Sequence, residues 1–423
     1  MNKKLDVAII GSGISGLSCA WLLSKQHNVT IYEKNDYLGG HSNTQTIQTF
    51  GDNKYINVDT GFIVFNEQNY ENLNALFNIL NVKTYSTDMS FAVSMQNGQF
   101  EYGGENLSTL FAQKKNFFIL NFWLMLFDII RFYKQAEKDI NKFNDKTLQE
   151  YLNEKSYSNS FIKNHLYPMA ASIWSAPINE IKNFPFKNFI NFFKNHGLLQ
   201  ISNRPKWKTV LNGSREYIKK IITTSNLKIF TSKEIKKISR EKGKVYIYDG
   251  KKRISYDHIV LACHSDQALN LIENPSKEEI SYLSKIKYQK NNVWLHSDES
   301  FMPKNNLTWS SWNYIDLGSD KSDEKLCVTY WMNKLQNLNT NDQIFVSLNP
   351  PKDPEHKKVY KNIKYSHPIF KHETIVGQKG LASIQGKNNL WFCGAYHGNG
   401  FHEDGIKSGL FVAERIGKIK RPW

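Results

Sequence analysis

Residues 5–16, LDVAIIGSGISG, determine the fold class of this chain of 423 residues. A short apolar run, Leu5–Ile10, leads directly into three glycines spaced as GxGxxG, and a helix is expected from about Ile14 to Ser24. The next apolar run, Val29–Glu33, ends on a carboxylate. Strand, glycine turn, helix and strand in this order are typical of the βαβ unit that binds dinucleotides. The first run is therefore interpreted as a strand and not as the core of a signal peptide.

Each glycine of the turn has a separate expected role. Gly11 permits the tight turn, Gly13 lets a pyrophosphate approach the backbone, and Gly16 lets helix and strand pack closely. The pyrophosphate would lie on the helix N-terminus, where unpaired N–H groups and the helix dipole favour anions. Glu33 is expected to accept hydrogen bonds from the ribose hydroxyls of adenosine. The residues of the turn predicted to contact the cofactor are Gly11, Ser12, Gly13, Ile14, Ser15 and Gly16.

Composition restricts the class of protein. The length allows two domains, and 40% hydrophobic with 22% charged residues is typical of a globular chain. A formal net charge of +16 favours anionic partners, such as an acidic lipid surface or an anionic substrate. The lysines are scattered and no nucleic-acid motif is present, so nucleic acid is rejected as the main partner. The sequence does not predict an oligomeric state.

The cysteines indicate a reducing compartment and a cytoplasmic protein. They form no CxxC pair and do not have the spacing of zinc ligands, so no metal site is predicted. The four cysteines are Cys19, Cys263, Cys327 and Cys393.

Residues 116–133, NFFILNFWLMLFDIIRFY, form the most apolar stretch. Asn121, Asp128 and Arg131 interrupt it, and two charges in its last third argue against a membrane span of about 20 apolar residues. The stretch is interpreted either as a buried helix of a substrate domain or as a peripheral contact with an anionic membrane surface.

Three further segments extend the pattern: EKNDYLGGH at 33–41, VDTGFIVFN at 58–66 and WFCGAYHGNGFHEDGIKSG at 391–409. With the glycine turn they resemble the superfamily of monoamine oxidases, phytoene desaturases and protoporphyrinogen oxidases. The resemblance implies non-covalent FAD and an α/β fold: a Rossmann-type FAD-binding domain, glutathione-reductase-like, with a discontinuous α+β substrate domain. These proteins usually have arginine after the paired glycines, where this chain has His41.

The FAD-binding domain is expected to use residues 1–80, 200–265 and 376–423, and the substrate domain residues 81–199 and 266–375. In the C-terminal segment, the resemblance implies that the turn at 404–406 presents N–H groups to the flavin pyrimidine. Such donors stabilise negative charge on a reduced ring. The further cofactor contacts implied by the resemblance are Lys34, Gly39, Gly40, His41, Gly61, Phe62, Ile63, Gly394, Asp404, Gly405 and Ile406.

A bacterial subgroup of the superfamily resembles this chain in GGHSNT, VDTGFIVFNEQNY, AASIWS, LACHSDQAL and GAYHGNGFHEDG. It includes enzymes that desaturate methylated fatty acyl chains on the way to furan fatty acids. The resemblance implies an FAD-dependent dehydrogenation of an apolar substrate, a methylated or unsaturated acyl chain of a membrane lipid. The expected pocket residues are Trp174, Asn292, Tyr330, Trp331, Tyr396 and Phe401.

Catalytic residues are less defined. His402 adjoins the flavin turn and is a candidate proton acceptor, with a purely hydrogen-bonding role as the alternative. Amine oxidases keep a lysine on a strand facing the flavin, and by alignment Asn292 occupies that position, with Lys290 nearby. Two other functions stay open: a flavin amine oxidase that releases hydrogen peroxide, and a non-enzymatic flavin-binding redox or light sensor.

Overall fold

A computed structural model describes residues 3–200, 204–241, 243–317 and 327–423. The predicted segments 1–80, 200–265 and 266–375 therefore each include residues outside the described ranges. The strands are β1 Asp6–Ile10, β2 Asn28–Tyr32, β3 Thr44–Gln48, β4 Tyr55–Asp59, β5 Val64–Asn66, β6 Thr84–Thr87, β7 Phe91–Met95, β8 Phe100–Gly103, β9 Trp207–Val210, β10 Leu227–Phe230, β11 Lys237–Glu241, β12 Lys244–Tyr248, β13 Arg253–Tyr256, β14 His258–Leu261, β15 Lys287–His296, β16 Trp312–Ile315, β17 Val328–Trp331, β18 Phe345–Leu348, β19 Val359–Ile369 and β20 Leu390–Phe392. The helices are α1 Ile14–Leu23, α2 Glu71–Ile79, α3 Leu107–Leu110, α4 Leu120–Gln135, α5 Leu148–Glu154, α6 Asn159–Phe161, α7 Tyr167–Trp174, α8 Ile178–Lys182, α9 Phe186–Asn195, α10 Arg215–Thr223, α11 Ser265–Leu271, α12 Lys277–Leu283, α13 Met332–Gln336, α14 His372–Ile384 and α15 His402–Gly417.

A parallel sheet of five strands, in the order β10–β2–β1–β14–β20, carries the glycine turn. Val7 and Ile9 of β1 pack with α1 and α15, whereas Ala8 and Ile10 pack with the small sheet β11–β12–β13. Because successive side chains of a strand point to opposite faces, burial on both faces requires a continuous apolar run. The predicted βαβ unit is confirmed, and β14, from a much later part of the chain, pairs with β1 in the same sheet.

Helices α1 and α15 pack closely, although they lie at opposite ends of the chain. All ten residues of α1 are buried. A Cβ on Gly409 would lie 2.1 Å from the backbone oxygen of Ser15, so the contact requires glycine at that position. The first and last segments of the chain therefore form one layer over the parallel sheet.

A second sheet of seven strands has the order β19–β15–β18–β17–β16–β7–β8, and only its β16–β7 pair is parallel. One hydrophobic core joins it to helices α4, α5, α7 and α9. Val93 and Val293 contribute from the sheet, and Phe122, Tyr151 and Phe189 from the helices. The predicted α/β fold, with a second α+β region assembled from separated segments, is confirmed. The domain boundaries stay a prediction.

Strands β12 and β13 form an antiparallel hairpin around Asp249-Gly250. The apolar stretch 116–133 contributes most of α4, which buries Phe122, Met125 and Phe132. None of the helices in the described ranges is both long and apolar enough to cross a bilayer.

Candidate active site

One cavity of about 1450 Å³ runs from the glycine turn into the second region of the fold. We call its two parts the cofactor end and the aromatic chamber. Residues 10–15, 33–35 and 39–41 line the cofactor end. The chamber is walled mainly by large apolar side chains: Ile173, Trp174, Phe192, Trp312, Tyr330, Phe370 and Phe401.

The glycine turn leaves an open cradle at the N-terminus of α1. Gly11 has a φ of +108°, and a Cβ there would lie 2.7 Å from the backbone oxygen of Ala262. A Cβ on Gly16 would lie 2.1 Å from the backbone oxygen of Gly11, so helix and turn touch there. At Gly13 a Cβ would meet no described atom within 4 Å. The space beside Gly13 fits a pyrophosphate, which the N–H groups of the helix end would bind.

Glu33 is held in place by the same turn. Its Oε2 accepts hydrogen bonds from the Ser12 N–H at 3.0 Å and from the Ser12 hydroxyl at 2.7 Å. Its Oε1 accepts the Asn35 N–H at 2.9 Å. Oε1 keeps one further lone-pair site, so the buried Glu33 can also accept a hydrogen bond from a ribose hydroxyl.

The paired glycines pack on the turn. The Gly39 N–H donates to the Ser12 oxygen at 3.0 Å, and Gly40, with a φ of +59°, would place a Cβ 3.2 Å from the Gly13 Cα. His41 stacks on Tyr365 with ring centroids 4.8 Å apart, and burial lowers its pKa to about 4. Its Nε2 is buried and finds no partner among the described residues, so a bound cofactor can satisfy it.

The predicted cofactor contacts Gly61, Phe62 and Ile63 also line the cavity, as does Lys34. A Cβ on Gly61 would lie 2.3 Å from the backbone oxygen of His41. Two backbone segments thus approach each other so closely that only glycine fits between them.

The C-terminal motif differs in part from the prediction. Gly394 lines the cavity. Asp404, Gly405 and Ile406 are not among its described lining residues, because α15 begins earlier, at His402. The Gly405 N–H already donates to the Phe401 oxygen at 3.1 Å. The first-turn N–H groups that lack intrahelical partners belong to residues 402–404, and the contact of residues 404–406 with the flavin stays a prediction.

Asp404 has a structural role in the turn before α15. Its Oδ2 accepts the N–H groups of Asn399 and Phe401, both at 3.0 Å. Burial raises its pKa to about 6.

His402 lines the cavity within a network of hydroxyl groups. Its Nε2 lies 2.8 Å from the Tyr217 hydroxyl and 3.0 Å from the Ser42 hydroxyl. The ring stacks on Phe62 with centroids 3.7 Å apart. Burial, and then the nearby His41, lower its pKa to about 3. The ring is therefore neutral and fixed in position, and its role as a proton acceptor stays a prediction.

Four of the six predicted pocket residues line the cavity: Trp174, Tyr330, Tyr396 and Phe401. Asn292 and Trp331 do not belong to the described lining, so their place in the pocket stays a prediction. Asn292 precedes Val293 on β15, and Trp331 follows Tyr330 on β17; Val293 and Tyr330 both line the cavity. Neighbouring residues of a strand face opposite ways, so Val293 and Tyr330 point to the cavity and the side chains beside them point away from it.

The chamber also contains residues that the sequence analysis did not select: Tyr102, Tyr133, His165, Phe192 and His196. His165 lies in a π-helical turn, 162–166, between α6 and α7, and its Nδ1 is 2.9 Å from the Tyr102 hydroxyl. Phe192 and His196 stack with centroids 3.8 Å apart, next to Phe401. Their spacing by four residues was the signal that could have placed both on one helical face.

Three features define a dinucleotide-binding protein of the Rossmann class: the parallel sheet, the cradle beside Gly13 and the Glu33 carboxylate that the glycine turn holds by hydrogen bonds. Residues 14–359 match the family model described as flavin containing amine oxidoreductase. The chain belongs to this family. FAD is its cofactor, and the protein is an FAD-dependent oxidoreductase.

Solved structures with the same fold cover almost the whole chain. A CLA-producing fatty acid isomerase from P. acnes has 15% identity and a TM-score of 0.66, with 99% of each chain covered. A putative protoporphyrinogen oxidase from Exiguobacterium sp. 255-15 has 14% identity and a TM-score of 0.67, also with 99% coverage of both. Cyclohexylamine oxidase from Brevibacterium oxydans IH-35A has 14% identity and a TM-score of 0.66, covering 98% of this chain and 99% of its own. No curated protein matches the chain in sequence.

Proposed function

We propose that this enzyme dehydrogenates a long apolar chain, namely a methylated or unsaturated fatty acyl group of a membrane lipid. The observation that carries the proposal is the aromatic chamber, which is continuous with the cofactor end. Sites for one small molecule or cofactor are commonly about 300–1,000 Å³, and this cavity of about 1450 Å³ is larger. It therefore has room for a flexible substrate beside the cofactor.

The chemistry needs few protein groups. When bound, FAD would accept a hydride, that is, two electrons together with one of the two protons that dehydrogenation removes. The chain must hold the substrate beside the ring, exclude water and accept the remaining proton. Phe192 and Phe401, stacked with centroids 4.8 Å apart, and Trp174 supply an apolar wall for the first two tasks.

The contacts at one rim of the cavity do not favour a cationic amine. Asp88 and Glu105 line the cavity there. Lys334 lies 2.8 Å from the Glu105 carboxylate and 3.4 Å from that of Asp88. An ammonium group would have to displace this lysine before pairing with either acid. Phe401, moreover, stacks on Phe192 instead of facing a second ring across a gap.

A sensor that needs no substrate would be compatible with a sealed cofactor. Here exposed residues form part of the cavity wall: Gly104, Glu105, Arg204 and Lys206. The chamber is thus open to the surface, which supports a path for substrate.

The test is anaerobic reduction of the yellow holoenzyme by candidate substrates. Phospholipids with methylated unsaturated acyl chains should bleach the flavin absorbance, and the lipid product should be lighter by two hydrogen atoms. Bleaching by simple amines with lipids inert would assign an amine oxidase instead, and bleaching by neither would favour a sensor. His402→Ala should slow bleaching more than it weakens lipid binding if that ring accepts the proton.

A further inference from the structure

Apolar side chains are concentrated on one part of the surface. Of the twenty large apolar side chains that are exposed in the described residues, nine lie between positions 107 and 130. Phe118 is 86% exposed and Leu120 is 73% exposed. We call this surface the apolar ridge: Leu107, Phe117, Phe118, Ile119, Leu120, Trp123, Leu124, Phe127 and Ile130. Exposed apolar patches of this kind mark interaction sites.

The two charges within the apolar stretch do not interrupt the ridge. Asp128 is buried, accepts the Ser158 N–H at 2.8 Å and pairs with Arg131 at 3.0 Å. The Arg131 guanidinium lies 4.0 Å from the ring centroid of Tyr157. Both charged groups are therefore engaged by the protein. Between Leu120 and Ile130 the exposed residues of α4 are apolar except for Asn121.

Basic residues flank the ridge at both ends. Lys114 lies before α4, and Lys134 and Lys138 come after Ile130, the last residue of the ridge. All three lysines are exposed. The acidic neighbours are neutralised, since Glu137 pairs with Lys194 and Asp139 with Lys155. An apolar face between cationic groups is complementary to the headgroup zone of an anionic bilayer. A second copy of the chain would bring like charges together.

The ridge is also next to the chamber. Gly104 and Glu105 line the cavity at an exposed rim, and Leu107 of the ridge follows two residues later. Tyr133, three residues after Ile130, lines the cavity from α4.

We infer that the apolar ridge inserts into the interfacial zone of an anionic bilayer, so that acyl chains enter the chamber directly from the membrane. Attachment stands on the surface itself, and only the delivery of acyl chains rests on the proposed function. Trp123 and the phenylalanines would lie at the level of the headgroups, with the lysines on lipid phosphates.

The first test is sedimentation of holoenzyme with vesicles of phosphatidylglycerol and phosphatidylcholine. Wild-type protein should bind, and replacement of Phe118, Leu120 and Phe127 by glutamine should lower vesicle affinity at least about tenfold. The matched control carries Ile280→Gln, Val376→Gln and Phe411→Gln, three exposed apolar residues on other helices, and should bind like wild type. Retained FAD in both triple variants shows that they are folded. Equal binding by wild type and ridge variant would overturn the inference, and so would a wild-type dimer that the ridge variant turns into a monomer without any vesicle binding.

The second test locates the contact. Brominated phosphatidylglycerol should quench tryptophan fluorescence in wild type, and Trp123→Phe should remove most of that quenching while vesicle binding persists. Quenching that is unchanged in Trp123→Phe would place the contact elsewhere. Because neither readout requires turnover, attachment can be established even where no lipid bleaches the flavin. If lipids do bleach it, the ridge variant should lose activity on vesicles and keep it on detergent-dispersed lipid.

Discussion

The cofactor end and the aromatic chamber are parts of one cavity, but they are built differently. At the cofactor end the backbone forms the surface, and Gly11, Gly16 and Gly61 are needed because two segments touch there. In the chamber, side chains from α7, α9, β15 and β17 form the surface. A backbone surface tolerates only a few residue types, whereas an apolar wall accepts many. The difference teaches which half of a site a sequence motif can describe.

The largest expected effect separates two glycines of the same turn. Gly16→Ala places a Cβ against the backbone oxygen of Gly11 and should lower the free energy of unfolding of the apoprotein by about 3 kcal/mol. Gly13→Ala adds a Cβ in open space, so the apoprotein should change by less than about 1 kcal/mol while FAD affinity falls. Urea unfolding and FAD titration measure both quantities. Equal destabilisation by the two variants would contradict the separate roles of these glycines.

Glu33→Gln should weaken FAD binding about 10- to 100-fold, because a hydrogen bond to a charged acceptor contributes about 1.5–3 kcal/mol. Glu234→Gln is the control, since Glu234 also lines the cavity but pairs with Lys236 at the surface. Quenching of flavin fluorescence measures both dissociation constants. A similar loss of FAD affinity in the two variants would show that the Glu33 carboxylate does not bind FAD specifically.

The buried carboxyl group of Asp404, in the first turn of α15, predicts a pH dependence of stability. Its pKa is about 6 in the folded protein and near 3.8 in the unfolded chain. Between these values the folded protein keeps the proton that the unfolded chain loses, so this contribution to stability falls as pH rises from about 4 to 6. The expected loss is about 3 kcal/mol. Asp404→Asn should lack this part of the pH profile in urea unfolding of the apoprotein, and identical profiles would refute the assignment.

The smallest expected effects test the strand register in the chamber. Tyr330→Leu should raise the KM of a bleaching substrate about tenfold with FAD affinity unchanged. Trp331→Leu should leave KM unchanged and lower stability by about 1 kcal/mol, because the indole N–H loses its bond to Gln343 at 2.8 Å. Stopped-flow bleaching and urea unfolding provide the two measurements. A KM that rises in Trp331→Leu and not in Tyr330→Leu would show that Trp331, and not Tyr330, faces the chamber.

The sequence predicted the cofactor end well because the glycine spacing is itself the geometric requirement. Gly11 has the positive φ that the tight turn needs, and Glu33 ends its strand at the turn. The chamber was predicted only in part. The choice of Asn292 over Val293, and of both Tyr330 and Trp331, required a register that apolar composition does not encode.

The start of α15 and the burial of α4 were also not predictable from the sequence, because both depend on contacts that a sequence motif does not show. The start of α15 at His402 depends on the turn that Asp404 caps through Asn399 and Phe401, a local bond pattern not visible in a glycine motif. The apolar stretch 116–133 was weighed as buried helix or membrane contact, and α4 has a buried face as well as an exposed one. Which charges turn inward is decided by Ser158 and Tyr157, in a later segment of the chain.

The contact between α1 and α15 has a consequence for biosynthesis. The cradle beside Gly13 is translated long before its supporting partners β14, β20 and α15, the last of which ends at Gly417. At about 5–20 residues per second, translation separates these segments by tens of seconds. During that time α1 has no α15 to bury it, and the nascent chain cannot retain FAD tightly. Cofactor loading is therefore a late event, and a chain that terminates before α15 should leave the ribosome without its flavin.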